Sequence, residues 1–161
     1  MNADYEESRR FGRIKLYRFL NKKLEFEKIV TAISMEFIDA KSEIDTAISS
    51  SLEKLGIFFK VDRSYIFLTN KEGIIYYIRE WCAQGINPWL TGAIGTNIGA
   101  FPWILDKISC LKSCVHYRKN AAQISYKTAS VVNMQPAKSM LHIPLFYNES
   151  LRGILGFDYV L

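Results

Sequence analysis

Val61-Asp62-Arg63-Ser64-Tyr65-Ile66-Phe67-Leu68, followed by Asn70-Lys71-Glu72-Gly73 and then by residues 74–81, is the stretch on which the fold turns. The first segment is β-branched and aromatic, which suits a pleated, half-buried surface, and it reads as a strand. The polar tetrapeptide is a hairpin turn, with Gly73 free to take positive φ. Residues 74–81 are the return strand, so the two segments form an antiparallel pair. Side chains alternate along a strand, so Tyr65 and Phe67 share a face.

Upstream of this hairpin the period changes from two to that of a helix. Phe26, Ile29, Val30, Ile33 and Phe37 recur at helical spacing as far as Ala40. Ser42-Glu43-Ile44-Asp45 resembles a capping box that opens a second helix, with Ile44, Ala47, Ile48, Leu52 and Leu55 on one side. Before both, Phe11, Ile14, Leu16, Tyr17, Phe19 and Leu20 are interleaved with basic residues. They predict an amphipathic helix, either a linker that continues into the domain or a surface for a membrane or an anionic partner.

Downstream, residues 83–102 hold four of the nine glycines together with Pro88, Trp89, Phe101 and Pro102, and read as a long crossing loop. Residues 102–108 read as a short helix with Pro at its first position. A short strand is expected over 113–117, and a helix capped by Asn120 over 120–132. Residues 139–146 and 151–160 form two more strands, joined by a turn at Tyr147-Asn148-Glu149-Ser150. The sum is an α+β architecture, with helices packed against an antiparallel sheet.

The 161 residues suit one domain, and 49% apolar with 23% charged content is a globular balance. The net charge of +5 is uneven: residues 1–23 carry seven Lys/Arg against three acids, leaving +1 on the rest. The basic character therefore belongs to an N-terminal arm, which argues against nucleic acid as a partner of the domain body. No run of about 18 apolar residues is present to span a membrane. The acidic, polar start, Met1-Asn2-Ala3-Asp4-Tyr5-Glu6-Glu7, lacks the pattern of a signal peptide. Cys82, Cys110 and Cys114 are an odd number without a framework spacing, and a cytoplasmic setting is expected.

Several of these stretches together resemble a GAF domain, of the bacterial subgroup found ahead of diguanylate cyclase, phosphodiesterase and histidine kinase output domains. They are Phe26-Glu27-Lys28-Ile29-Val30, Ile44-Asp45-Thr46-Ala47-Ile48, the strand beginning at Val61, Glu80-Trp81-Cys82-Ala83-Gln84-Gly85-Ile86, Phe101-Pro102-Trp103, Ser139-Met140-Leu141-His142-Ile143-Pro144-Leu145 and Gly153-Ile154-Leu155-Gly156-Phe157-Asp158. The resemblance covers residues 24–161 and leaves 1–23 as a basic linker helix. It implies a profilin-like central antiparallel sheet with helices on one face and a loop-and-helix-covered pocket on the other. It also implies a C-terminal helix after the last strand, which this stretch does not include. The function implied is a non-catalytic sensory module that binds a small molecule, dimerises through its helices and relays a signal to an output domain in the same chain. A dimerisation and relay module with no ligand, and a small redox enzyme using Cys, are the alternatives.

The residues themselves supply no catalytic set. A nucleophile needs a neighbouring base and an orienting partner. The only histidines are His116 and His142, and His142 lies in an apolar strand segment. Cys110, Cys114 and His116 do not have the pair spacing of a zinc site, and no metal is expected. Bilin-binding members of the family attach the pigment at a Cys followed by His, and no cysteine here has that neighbour. No cofactor is named by the sequence. The pocket implied by the resemblance has Tyr65 and Phe67 as its floor, Glu80 or Trp81 at the edge of the second strand, and Trp89, Phe101 and Trp103 as a lid. Tyr65, Glu80, Tyr126 and His142 are its polar candidates. The competing reading is that these aromatics fill a core.

Overall fold

The computed structural model describes residues 3–39, 43–101, 114–117 and 137–160. It divides into two compact units, Met1–Ala47 and Ile48–Leu161. The helices expected over 102–108 and 120–132 lie outside the described residues.

The first unit is built on one continuous helix, α1 (Ala3–Asp39). The boundary expected at residue 23 falls inside it, because a change in charge composition does not interrupt helical propensity. Amphipathicity is what the expectation got wrong. At about 100° per residue, Phe11, Ile14, Leu16, Tyr17 and Phe19 fall around the whole circumference, with Arg and Lys between them. All five are exposed. A helix that lies on a membrane needs its apolar residues on one side, and α1 has no such segregated side.

The second unit holds α2 (Ile44–Phe59) from Ile48 onward, and a five-stranded sheet. α2 stops at a Schellman cap. Lys60 takes the left-handed conformation (φ 54°), its N–H donates to Ile57 O at 3.2 Å, and Val61 N–H donates to Gly56 O at 3.1 Å. The strands are β1 (Arg63–Thr69), β2 (Ile75–Cys82), β3 (Cys114–Tyr117), β4 (Ser139–Tyr147) and β5 (Ser150–Tyr159). Their spatial order is β2-β1-β5-β4-β3, antiparallel throughout.

Both hairpins close as their turn residues require. Asn70 Oδ1 accepts from the Glu72 and Ile74 amides, with Gly73 at φ 77°. In the β4–β5 turn both central residues, Asn148 and Glu149, are left-handed, at φ 48° and 60°. That matches the type I′ geometry favoured by strand twist.

Register sorts the side chains onto two faces. Ser64, Trp81 and Phe157 share the face that meets α2. There Ser64 Oγ donates to Leu52 O at 2.6 Å, and Phe59 packs edge-on to Phe157 at 5.4 Å between ring centroids. The Trp81 ring lies against Gly56, where an added Cβ would overlap it. The opposite face carries Arg63, Tyr65 and Phe67 of β1, Glu80 and Ile78 of β2, and Asp158, Gly156 and Ile154 of β5. Met140 and His142 of β4 lie on the same face.

Candidate functional site

The face opposite α2 combines an apolar cover with a buried polar row. Residues 83–101 fold over β1 and β2. Two 3-10 turns, Leu90–Ala93 and Ile98–Ala100, shape this segment. Its far end runs beside β2: Ile75 N–H donates to Thr96 O at 2.9 Å and Gly95 N–H to Ile75 O at 2.8 Å. Trp89, Leu90, Ile98 and Phe101 then pack with Tyr65, Phe67, Ile78 and Ile154 in one buried cluster. Trp89 meets the Tyr65 ring edge-on, 5.9 Å between centroids.

Beneath this cover Arg63, Tyr65, His142 and Asp158 are each 0–1% exposed. Charges are almost never found so deep unless paired, and these are. Arg63 forms an ion pair with Asp158 Oδ2 at 3.0 Å, sits 5.7 Å from the Trp89 ring centroid, and donates to Asn87 O at 3.5 Å. The Tyr65 hydroxyl donates to Asp158 Oδ1 at 3.2 Å and lies 2.8 Å from His142 Nε2. Tyr65 spans two strand positions to do this, because its ring passes over Gly156. Burial pushes the Asp158 carboxyl up to about 6, against the pull of the Arg63 guanidinium and the hydrogen bond from Tyr65. Burial and the adjacent Asp158 charge hold the Tyr65 phenol well above its usual range.

Glu80 is the latch between sheet and cover. One carboxylate oxygen accepts from Trp89 N at 3.1 Å and Leu90 N at 3.2 Å, so the side chain caps the first 3-10 turn. Burial raises its pKa, and the Leu90 and Trp89 amides oppose that rise. Hydrogen bonds to a charged group are worth about 1.5–3 kcal/mol. Replacing Glu80 with Ala should therefore speed amide hydrogen exchange at Trp89 and Leu90 by roughly ten- to a hundredfold, while Glu80→Gln keeps an acceptor and part of the protection. Unchanged exchange in the Ala variant would show that the apolar cover holds the loop alone.

Of the nine candidate residues, the structure brings together Tyr65, Phe67, Glu80, Trp89, Phe101 and His142. It separates Trp81, which pairs with Ser64 on the α2 face and packs against Gly56. Trp103 and Tyr126 lie outside the described residues. Arg63 and Asp158, the charged centre of the face, were not among the candidates. Cys82 sits opposite Arg63 in register, and burial pushes its thiol up to about 11. That leaves it mostly protonated near neutrality and a poor nucleophile. A shallow concavity also runs along α1 past Arg10, Arg13, Tyr17 and Lys22. It is lined by a single helix, without the convergent polar groups of the sheet face. No helix among the described residues is long and apolar enough to cross a membrane.

No protein-family profile matches the chain, and no curated protein sequence does. Solved structures match it over most of its length. The phycocyanobilin-bound GAF domain of a cyanobacterial phytochrome superposes with a TM-score of 0.64 at 17% identity, over 84% of this chain and 80% of that one. The phycoerythrobilin-bound GAF domain of a cyanobacterial phytochrome gives 0.62 at 16%, over 84% and 81%. The GAF domain of a phosphoenolpyruvate-protein phosphotransferase from Coxiella burnetii gives 0.59 at 16%, over 83% and 76%. With its antiparallel sheet order, helix-backed face and loop-covered opposite face, the chain has the fold of a GAF domain.

Proposed function

We propose that this chain is a non-catalytic sensory GAF domain of a bacterial signal-transduction protein, which takes a small molecule on the sheet face opposite α2 and passes the resulting shift to an output domain. The observation that carries this reading is the row of Arg63, Asp158, Tyr65 and His142 beneath a cover of aromatics. An apolar site with a few placed polar groups is the usual form of a small-molecule pocket. A ligand shifts such a module only by binding its two states unequally. Glu80 and Arg63 supply a route for that, because both tie the sheet to the covering loop. Two of the similar structures hold a bilin. For this chain the parallel extends to an organic ligand and no further, since the Cys-His pair for attachment is absent from the sequence.

A second reading, a relay module without ligand, is favoured by one observation. Tyr65, Phe67, Trp89 and Phe101 are already packed together at 5% exposure or less. The exposed apolar side chains of α1 favour a homodimer through helices under either reading. The test is the mass of the purified chain under native and denaturing conditions. A mass excess released on denaturation, and lost in a Tyr65→Ala variant that still melts cooperatively, is the expected result. A native dimer whose mass is that of two bare chains, with no excess to release on denaturation, would replace the sensor reading with the relay one.

A further inference from the structure

Along α1, Leu16, Phe19, Lys23, Phe26, Val30, Ile33 and Phe37 lie alternately three and four residues apart. These are the a and d positions of a heptad, held over three repeats, and every one except Lys23 is apolar. At about 100° per residue they stay within a stripe about 100° wide. Leu16, Phe19, Phe26, Val30 and Phe37 are exposed, and Ile33 is half-buried. A helix resting on a membrane needs a broader apolar side, which α1 lacks, whereas a two-stranded coil needs only such a narrow seam. Of the apolar residues over 11–19, only Leu16 and Phe19 lie on it, so that part of the helix shows no side when taken alone. Arg10, Arg13 and Arg18 stand about 100° or more from the middle of the stripe, which keeps their like charges out of a pair of these helices.

We propose that this seam binds the same seam of a second copy of the chain, as a parallel, in-register two-stranded coil over residues 16–37. Charge complementarity selects both the partner and its direction. In a parallel pair, a g position faces the e position of the next heptad on the other helix. Here g is Lys22 and e is Glu27, so two-fold symmetry supplies two Lys22–Glu27 pairs, one on each flank of the seam. An antiparallel pair sets g against g and would match Lys15 with Glu36, a side chain already half-buried in its own chain. Lys23 fixes the register at a cost. A lysine at a single a position specifies how two helices align while weakening their association, and in this pairing it puts two ammonium groups in one layer. The inference rests on the homodimer favoured above under both readings, and it gives that dimer a surface, a direction and a deliberately weak layer. It does not depend on any ligand of the sheet face.

The test is sedimentation equilibrium of the full chain and its variants, with circular dichroism to show that each still folds. The parent chain should be a dimer. Phe19→Glu, on the seam, should weaken it by at least about tenfold, whereas Tyr17→Glu should leave it unchanged. The two side chains are equally exposed, at 65% and 67%, so folding does not separate them. Lys23→Leu should tighten the dimer by about tenfold or more. Lys22→Glu and Glu27→Lys should each weaken it by about tenfold, because each sets like charges opposite one another twice. Mixed together, these two variants should form a heterodimer in preference to either homodimer, since both flanking pairs are then attractive. A monomeric parent chain, equal loss in Phe19→Glu and Tyr17→Glu, or random mixing of the two charge variants would each overturn the proposal. A small-molecule mass excess carried by a monomer would overturn the seam and leave the sensor reading standing. A dimer that Phe19→Glu breaks, with no mass excess, would uphold the seam and count against the sensor reading alone.

Discussion

Arg63→Ala should lower the stability of the second unit by about 3–5 kcal/mol, the cost of breaking a buried ion pair by removing one partner. The side chain is fully buried, and its nearest charge, Asp158, is fully buried too. The sign with pH follows from Asp158. Its folded pKa, about 6, lies above its ordinary value of 3.8. In the parent chain the favourable contribution of the protonated carboxyl is thus complete below 3.8 and lost as pH rises through about 6. Removing the guanidinium removes the main force holding that pKa down, so the variant loses stability over a window reaching further into neutral pH. The difference between variant and parent should be smallest near pH 4 and grow toward pH 8. Replacing both partners, as Arg63→Met with Asp158→Leu, removes the charge altogether and should cost much less than the single change. Urea denaturation at the two pH values measures both. A loss of equal size at each pH, shared by the single and the double variant, would mean that Arg63 acts by packing on Trp89 and not by its charge.

The strand that contains Arg63 also shows what a sequence can and cannot reveal here. Alternation assigns Tyr65 and Phe67 to one face, and the same rule puts Arg63 there, two residues earlier. What it cannot supply is the partner. Asp158 is 95 residues away in the chain and meets Arg63 only because β5 lies beside β1. A charged residue in an inward position was the available signal. The Trp81 assignment failed for a related reason. Glu80 and Trp81 are neighbours, so they must face opposite sides of the sheet, and only the pairing of Glu80 with Tyr65 settles which side each takes. Turns fared better because their chemistry is local. Gly73 has the positive φ expected of it, and Tyr147-Asn148-Glu149-Ser150 is the tight turn it reads as. For α1, apolar and basic residues both occur at helical intervals, and the eye supplies a stripe that the geometry of the helix does not.

Gly156→Ala is expected to cost about 2–4 kcal/mol, although it adds a single carbon. The backbone at Gly156 is not in the left-handed region, so strain in φ is not the cause. The cause is the Tyr65 ring, which occupies the position where the new Cβ would stand, between β1 and the histidine two strands away. Overpacking a filled site costs about 1–3 kcal/mol. Displacing the ring also takes the hydroxyl from Asp158 and His142, and a buried group left short of a partner costs about 1–3 kcal/mol more. The two costs overlap, because movement that relieves the first incurs the second. This predicts strong coupling. In a Tyr65→Ala background the obstacle is gone, and Gly156→Ala should be close to neutral; contacting pairs show couplings of about 0.5–3 kcal/mol. Tyr65→Phe separates the parts, since it keeps the ring and removes only the hydrogen bonds, so Gly156→Ala should remain costly beside it. An equal cost in the Tyr65→Ala background would show that the glycine serves the strand and not the tyrosine. The reach of Tyr65 to His142 would then not depend on a bare position in β5. If the coupling is found, the polar row of this face requires glycine at that position, and a substitution there should disturb whatever the face binds without touching any residue that contacts it.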